Sequence, residues 1–276
     1  MIKRRLQCYP DQEEKNMISD MKKSFLNICL FFPIMFIGPY KPVLSGVYDW
    51  KQSVTTANKN ISTSVMFEGS AFEMKWLQMT ANSLKPLDKT IALTIPGNEE
   101  QLYIIKNGTL NITMGDSSFS MSKGSVLVMA PGEKLSIQNK QSAACEFFIM
   151  KYKSQLAPDK ERGEKAGGSI IKDWNDVEFK PHDRGGVRTF FERPTAMLKR
   201  LEMHVTTLNA GLKSHAPHTH AAKEIIVMME GNTEMQIGEK FFKGKEGSVY
   251  FLESNILHGI TNLGTAPCTY FAIQFE

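Results

Sequence analysis

The sequence predicts an all-β chain of two tandem barrels behind an N-terminal leader. Three observations carry this prediction. One stretch of about forty residues recurs at a constant offset, apolar runs of strand length return at roughly eight- to twelve-residue intervals, and helical periodicity is nearly absent.

The leader comes first. Residues 1–20 are polar and unpatterned, and Met21-Lys22-Lys23 is followed by the apolar run SFLNICLFFPIMFIG and then by PYKPVLSG. A charged start, a proline-interrupted apolar stretch and a small-residue end are the pattern of an export signal. We therefore expect translation from Met21, cleavage near Ser45–Gly46 and a periplasmic or secreted protein. Stable membrane association is not expected after cleavage; the competing reading is an anchor left uncut. A lipoprotein would need a cysteine just after the apolar run, and Cys29 lies inside it.

The chain after residue 46 divides into a first copy (47–153), a linker (154–168) and a second copy (169–276). Residues 100–139 and 223–262 align without a gap. Gly108 matches Gly231, Gly115 matches Gly238, Gly124-Ser125-Val126 matches Gly247-Ser248-Val249, and Asn139 matches Asn262. Cys145 and Cys268 keep the same offset of 123 and read as buried free thiols. Within each copy, runs such as LYIIK, TLNITM and SVLVMA are separated by Gly, Asn, Asp or Pro, the rhythm of antiparallel strands closing a sandwich or barrel. The linker SQLAPDKERGEKAGG is charged, and Leu156 is its one large apolar residue.

Composition excludes several classes. Hydrophobic content of 42% with 22% charged residues is that of a globular protein, not a disordered or fibrous one. The net charge of +4 is mostly in residues 1–46, where seven Lys/Arg face four acids. The remainder is almost balanced, with no concentrated basic footprint, so nucleic acid is not an expected partner.

The second copy carries the chemistry. In SHAPHTHAAKE (214–224), His218 and His220 stand two apart, which in a strand places both on one face. Glu224 opens the run EIIVMME, and His258 follows Gly247 by eleven residues. Three imidazoles and a carboxylate form a set suited to a divalent first-row metal, with positions left for water or substrate. His218, His220, Glu224 and His258 are the expected ligands.

These residues resemble the cupin superfamily. The first cupin motif is met by Gly211, His218, His220, Glu224 and Gly231, with one extra residue before the first histidine; the second is met by Gly247, His258 and Asn262. The usual Pro-x-Gly turn is replaced by Glu253-Ser254-Asn255, where asparagine tolerates the positive φ that glycine would take. The resemblance implies a bicupin of two double-stranded β-helix, or jelly-roll, barrels. In the first copy the ligand positions become Ile95, Gly97, Gln101 and Leu135, so that barrel is expected to be scaffold, with a rescue by Glu99 or Glu100 requiring a register slip.

An inert first barrel followed by a metal-bearing second is similar to the ureidoglycine aminohydrolase plan, whose ligands are a glutamate, two histidines and a glutamine. The different set here leaves the substrate open. The resemblance implies one divalent metal (Mn, Fe, Zn, Ni or Cu) and a metal-dependent enzyme acting on a small sugar acid, keto acid or ureide. Isomerisation, hydrolysis, decarboxylation and dioxygenation all fit. The alternative is a non-catalytic periplasmic protein that uses the metal to anchor a sugar or acid; a storage-type structural bicupin would have discarded the ligands. Pairing into a homodimer is a further expectation.

Tyr250, His215 and Arg188 are the candidate catalytic residues beside the metal. His215 has no place in the motif and reads first as a solvated loop residue, with an outer-sphere or substrate role as the alternative, and His182 and His204 read as structural. Arg184, Arg188, Arg193, Lys199 and Arg200 suggest either an anion-recognising rim or solvated surface pairs. Met203, Met228, Met229 and Met235, with Tyr250, Phe251, Tyr270 and Phe271, are expected mostly in the core, one face of them lining a pocket.

Overall fold

Alternating apolar positions in both copies build antiparallel strands, and the strands assemble into two pairs of sheets. The computed structural model describes residues 40–50, 54–57, 60–86 and 89–276. Most of the expected leader, residues 1–39, thus lies outside the described residues. In the first copy the large sheet runs through Ile61–Ala71, Met74–Leu84, Cys145–Ser154, Glu100–Asn107 and Val126–Met129. A smaller sheet of Ile91–Thr94, Lys134–Gln138, Leu110–Met114 and Ser117–Met121 closes over it. The second copy repeats the plan with Gly185–Arg193, Leu201–Leu208, Cys268–Phe275, Lys223–Glu230 and Ser248–Leu252 opposed by Asn232–Ile237, Lys240–Lys245 and His258–Asn262.

The two copies do not keep to the expected partition of the chain. Gly46–Asp49 pairs with Ser248–Phe251 of the second copy, and Ile170–Lys172 pairs with Val126–Val128 of the first. Each barrel therefore borrows its outer strand from the segment preceding the other copy. Two equivalent contacts lock the exchange. Ser248 donates its hydroxyl to Asp49, and Ser125 donates to Asp173 at 3.2 Å. Trp50 and Trp174 follow those aspartates and pack against the turn glycines Gly247 and Gly124.

The described residues form one compact unit. Its largest core lies between the large sheets and draws on both copies: Leu77, Leu102, Ile104 and Phe148 meet Ile225, Val249, Phe251 and Phe271. Separate apolar clusters fill the barrels. The first is packed solid by Ile95, Ile112, Leu135 and Phe147 among others, while the second is built around Met228, Met235, Tyr250 and Tyr270. The repeated cysteines are explained by packing. Gly108 and Gly231 take positive φ with Cys145 and Cys268 directly above them, where a larger residue on either side would collide. Both thiols are free, and burial pushes them up to about 12 and about 11.

Two further expectations meet a different structure. The cleavage zone at Ser45–Gly46 falls inside a packed segment: Val43 is in the shared core, and Ser45 Oγ accepts a hydrogen bond from the Glu253 backbone N–H at 2.9 Å. The linker carries a short helix, Lys160–Lys165, capped by Asp159 and tied down by Arg162 on the Thr195 and Ala196 carbonyls. Among the described residues no helix is long and apolar enough to cross a membrane.

Asn255 takes φ +60° at the turn that the sequence marks as glycine-like, and its backbone N–H holds the His220 carbonyl at 2.8 Å. Left-handed backbone costs a side chain about 1–2 kcal/mol, least for asparagine and nothing for glycine. Scanning calorimetry should show Asn255→Val destabilised by about that amount and Asn255→Gly no less stable than the parent. Equal loss in both would mean that the turn is held by the Asn side chain instead.

Candidate metal centre

The first-copy strand Ile91–Thr94 has only fragments as its counterpart in the second copy. There the loop from Lys213 to Ala222 runs irregularly along the small sheet, touching it through bridges at Lys213–Thr261 and His218–His258. His218 and His220 are therefore not in a continuous strand, as their spacing suggested. The loop is held by backbone instead: His218 and His258 exchange N–H···O=C bonds of 2.9 and 3.0 Å. Arg184 donates to the Ser214 carbonyl at 2.8 Å and fixes the loop's entry.

The imidazoles converge. Ring centroids of His218, His220 and His258 lie 4.6–5.3 Å apart. Glu224, at the head of its strand and 8% exposed, points between them, its Oε2 at 3.4 Å from His220 Nε2 and 3.1 Å from His258 Nε2. The other nitrogen of each ring is occupied: His220 Nδ1 bonds the Ala222 carbonyl and His258 Nδ1 the Ile256 carbonyl, both at 2.8 Å. Those bonds fix the protons on Nδ1 and leave the Nε2 lone pairs facing inward.

His218 Nδ1, His220 Nε2 and His258 Nε2 are buried and lack hydrogen-bond partners. One ring nitrogen from each lies within 4.8 Å of the others, and among the described residues this is the group placed to hold a metal ion. Buried polar atoms without partners cost free energy, and a cation would satisfy all three. The donor set therefore fits a divalent metal. Burial works against the charge on Glu224, but hydrogen bonds and positive charge from His220 and His258, doubly protonated when no cation stands between them, outweigh it and hold the carboxyl down at about 2. Burial, reinforced by the neighbouring imidazoles, lowers His218, keeping it a neutral donor.

The cluster opens on a cavity of about 210 Å³ with an apolar floor of Ile226, Met235 and Ile260. Of the three candidate catalytic residues, only His215 is there, its ring 4.3 Å from that of His218 and edge-on to it.

Tyr250 points into the same barrel but toward its far end. Its hydroxyl bonds Thr233 Oγ1 at 3.1 Å, and Thr233 pairs with Asn262 while His258 pairs with Ile237. Four residues of strand, about 13 Å, separate the two pairs. Arg188 stands across from Val205, on the sheet face turned to the shared core. It stacks on Trp174 and Phe179 and bonds the Val177 carbonyl. An anion-binding rim does not form. Arg193 bonds the Gly168 carbonyl, and Arg200 pairs with Glu192 at 2.7 Å.

His204 departs from the structural reading of the sequence. It lines the cavity, and its Nδ1 meets Glu202 Oε1 at 2.8 Å. Burial opposes its charge, but Glu202 and, further off, Glu224 outweigh that and raise its pKa. Of the expected wall residues, Met235 and Tyr270 reach the cavity, whereas Met203, Met229, Phe251 and Phe271 belong to the shared core.

Among its described residues the first copy has no such cluster. Ile95 and Leu135 are buried in its apolar filling, and Gln101 is bonded to Tyr103 and Glu99. Glu99 pairs with Lys153, and Glu100 accepts from Thr195 Oγ1 and Ala196 N at 2.6 and 2.9 Å. Neither glutamate joins a metal-holding group among the described residues.

Residues 204–274 match the family model described as Cupin domain. No curated protein matches the chain. Among solved structures, protein YlbA from E. coli aligns at 12% identity with a TM-score of 0.64, covering 87% of this chain and 95% of that one. AerE from Microcystis aeruginosa gives 14% and 0.61 over 81% and 98%, and oxalate decarboxylase from Lactobacillus farciminis 13% and 0.63 over 84% and 86%. These likenesses establish the two-barrel fold.

Proposed function

We propose, from the premise that this chain belongs to the cupin superfamily and has its two-barrel fold, that it is a metal-dependent enzyme acting on a small acidic or oxygen-rich metabolite in its second barrel. The observation that carries this reading is the convergence of three partnerless buried imidazole nitrogens beside Glu224, at the end of a partly open cavity. His218, His220, His258 and Glu224 would hold one divalent metal. Such an ion supplies Lewis acidity toward a ligand oxygen and stabilises negative charge that develops there.

The residues around it do the rest. The backbone bonds of His220 and His258 orient their rings, Arg184 and Asn255 fix the loop that carries the ligands, and the apolar floor limits water around the bound molecule. Apart from the ligands, the polar lining is His204, Thr206, Ser214, His215, Tyr270 and Gln274, of which the two histidines are the groups able to move a proton near neutral pH. A volume of 210 Å³ corresponds to about seven waters at ~30 Å³ each. That favours a compact acid held entirely inside; a uronate-sized molecule would project through the mouth beside His215. The protein is proposed to be exported, with its leader ending upstream of Val43, because that residue is part of the core.

The test is a screen of the purified protein, reconstituted separately with Mn, Fe, Ni and Zn, against short keto acids, uronates and ureides. The expected result is turnover that disappears on chelation and returns with metal. Saturable binding with no turnover under any metal would establish an anchoring protein instead.

A further inference from the structure

The cavity has two polar walls, and the metal cluster accounts for only one. Across the strand Cys268–Phe275, Glu224 is in line with Gln274 and Glu202, and Ile226 is in line with Ala272 and His204. His204 thus faces the cluster from two strands away, about 9.5 Å of backbone separation. Between them stands Ala272, whose methyl leaves the intervening space open. Glu202 occupies Nδ1 of His204, so Nε2 is the nitrogen left for a ligand.

The barrel itself does not need this pair. In the first copy the same register positions are Thr80 and Gln78, and Ile149 stands where Ala272 does. Thr80 turns its hydroxyl to the Ile149 carbonyl at 3.3 Å, and the first barrel closes around apolar filling. Sequestering a histidine and a glutamate costs desolvation, and at these two positions the twin barrel carries no ionisable side chain. The pair belongs to the copy that has a cavity.

Resting on the metal reading above, we propose that His204, held by Glu202, is a second anchor of the cavity, and that its ligand is a compact acid with oxyanions at both ends. One end would meet the metal cluster and the other His204 Nε2. The apolar floor between them satisfies no charge and suits a short carbon bridge. Three neutral imidazoles, one carboxylate and a divalent ion sum to a net positive site, which favours an anion at the metal end. An anion at the other end favours the protonated imidazole, in which both ring nitrogens donate.

Malonate and acetate are the probes, titrated calorimetrically into zinc-loaded wild type, His204→Gln and Glu202→Gln, with metal content measured on each sample. Wild type should bind malonate at least about tenfold more tightly than acetate, a difference of about 1.4 kcal/mol. In His204→Gln the two affinities should fall within about threefold of each other at unchanged metal content, and Glu202→Gln should lie between. Preference for malonate that persists in His204→Gln would mean chelation by the metal alone and would overturn the second anchor. Absence of any malonate preference in metal-loaded wild type would overturn it as well. Failure of wild type to take up metal would instead sink the metal reading on which it rests.

Discussion

Replacing His218 and His220 together by alanine is expected to abolish metal uptake. Wild type, reconstituted and desalted, should retain one divalent ion per chain by mass spectrometry, and the double variant essentially none. The cluster leaves Glu224 and His258 as the remaining donors, too few to retain the ion. Loss of even an outer partner of a metal ligand typically costs ten- to a hundredfold in affinity, so loss of two ligands should exceed about a hundredfold. His182→Ala is the control, since that exposed histidine lies against Asp183, apart from the cluster. Wild-type metal content in the double variant would show the assignment to be wrong.

Phe271→Ala is expected to produce the largest loss of stability, about 3–5 kcal/mol, the range for truncating a buried phenylalanine. Phe271 is fully buried and packs on Phe190 and Trp174 at centroid distances of 5.4 and 6.5 Å. It lies in the core to which both copies contribute. Truncation should therefore lower the melting temperature of the whole chain, on the order of 10 °C for a unit of this size, with a single transition retained. Two separate transitions, only one displaced, would show that the barrels unfold independently and that the shared core does not couple them.

Much of this architecture is legible in the sequence because a duplication exposes its own rules. Turn glycines, cysteines and the capping asparagines Asn139 and Asn262 repeat at one offset, and each has a local cause. Asn262, for example, donates to the Leu208 and Ala266 carbonyls just as Asn139 donates to those of Leu84 and Ala143. The candidate ligands are legible for a different reason, their spacing: three of the four lie within seven residues, so the pattern survives without knowledge of the fold.

What was not legible depends on pairing across distance. The exchanged strands are short, and nothing local reports that Gly46–Asp49 belongs with residues two hundred positions later. A signal was present: Asp49-Trp50 recurs as Asp173-Trp174 at an offset of 124, one more than in the rest of the repeat. The register of Leu84 and Leu208 against the two cysteines shows the same 124. The second copy has one residue fewer between Leu208 and His218 than the first has between Leu84 and Ile95, and this separates the two offsets. That missing residue also hides His204, which aligns with Thr80 only when it is allowed for; its partner Glu202 is two residues away on the same strand, but the cluster it faces lies beyond another strand. Residue type suggests chemistry at Tyr250 and Arg188, whereas strand register sends one to the far end of the barrel and the other to the opposite face.

The exchange of strands bears on how such a chain can change through descent. A duplicated module whose active site has fallen silent is ordinarily expendable, and deletion would shorten the gene at no cost. Here Gly46–Asp49 and Ile170–Lys172 are each loaned across the duplication. Excising the first half would strip the half that carries the imidazole cluster of an edge strand and uncover the apolar face that its twin conceals. The barrel without the imidazole cluster is thus bound to its partner, free to vary at its ligand positions but not to leave the chain.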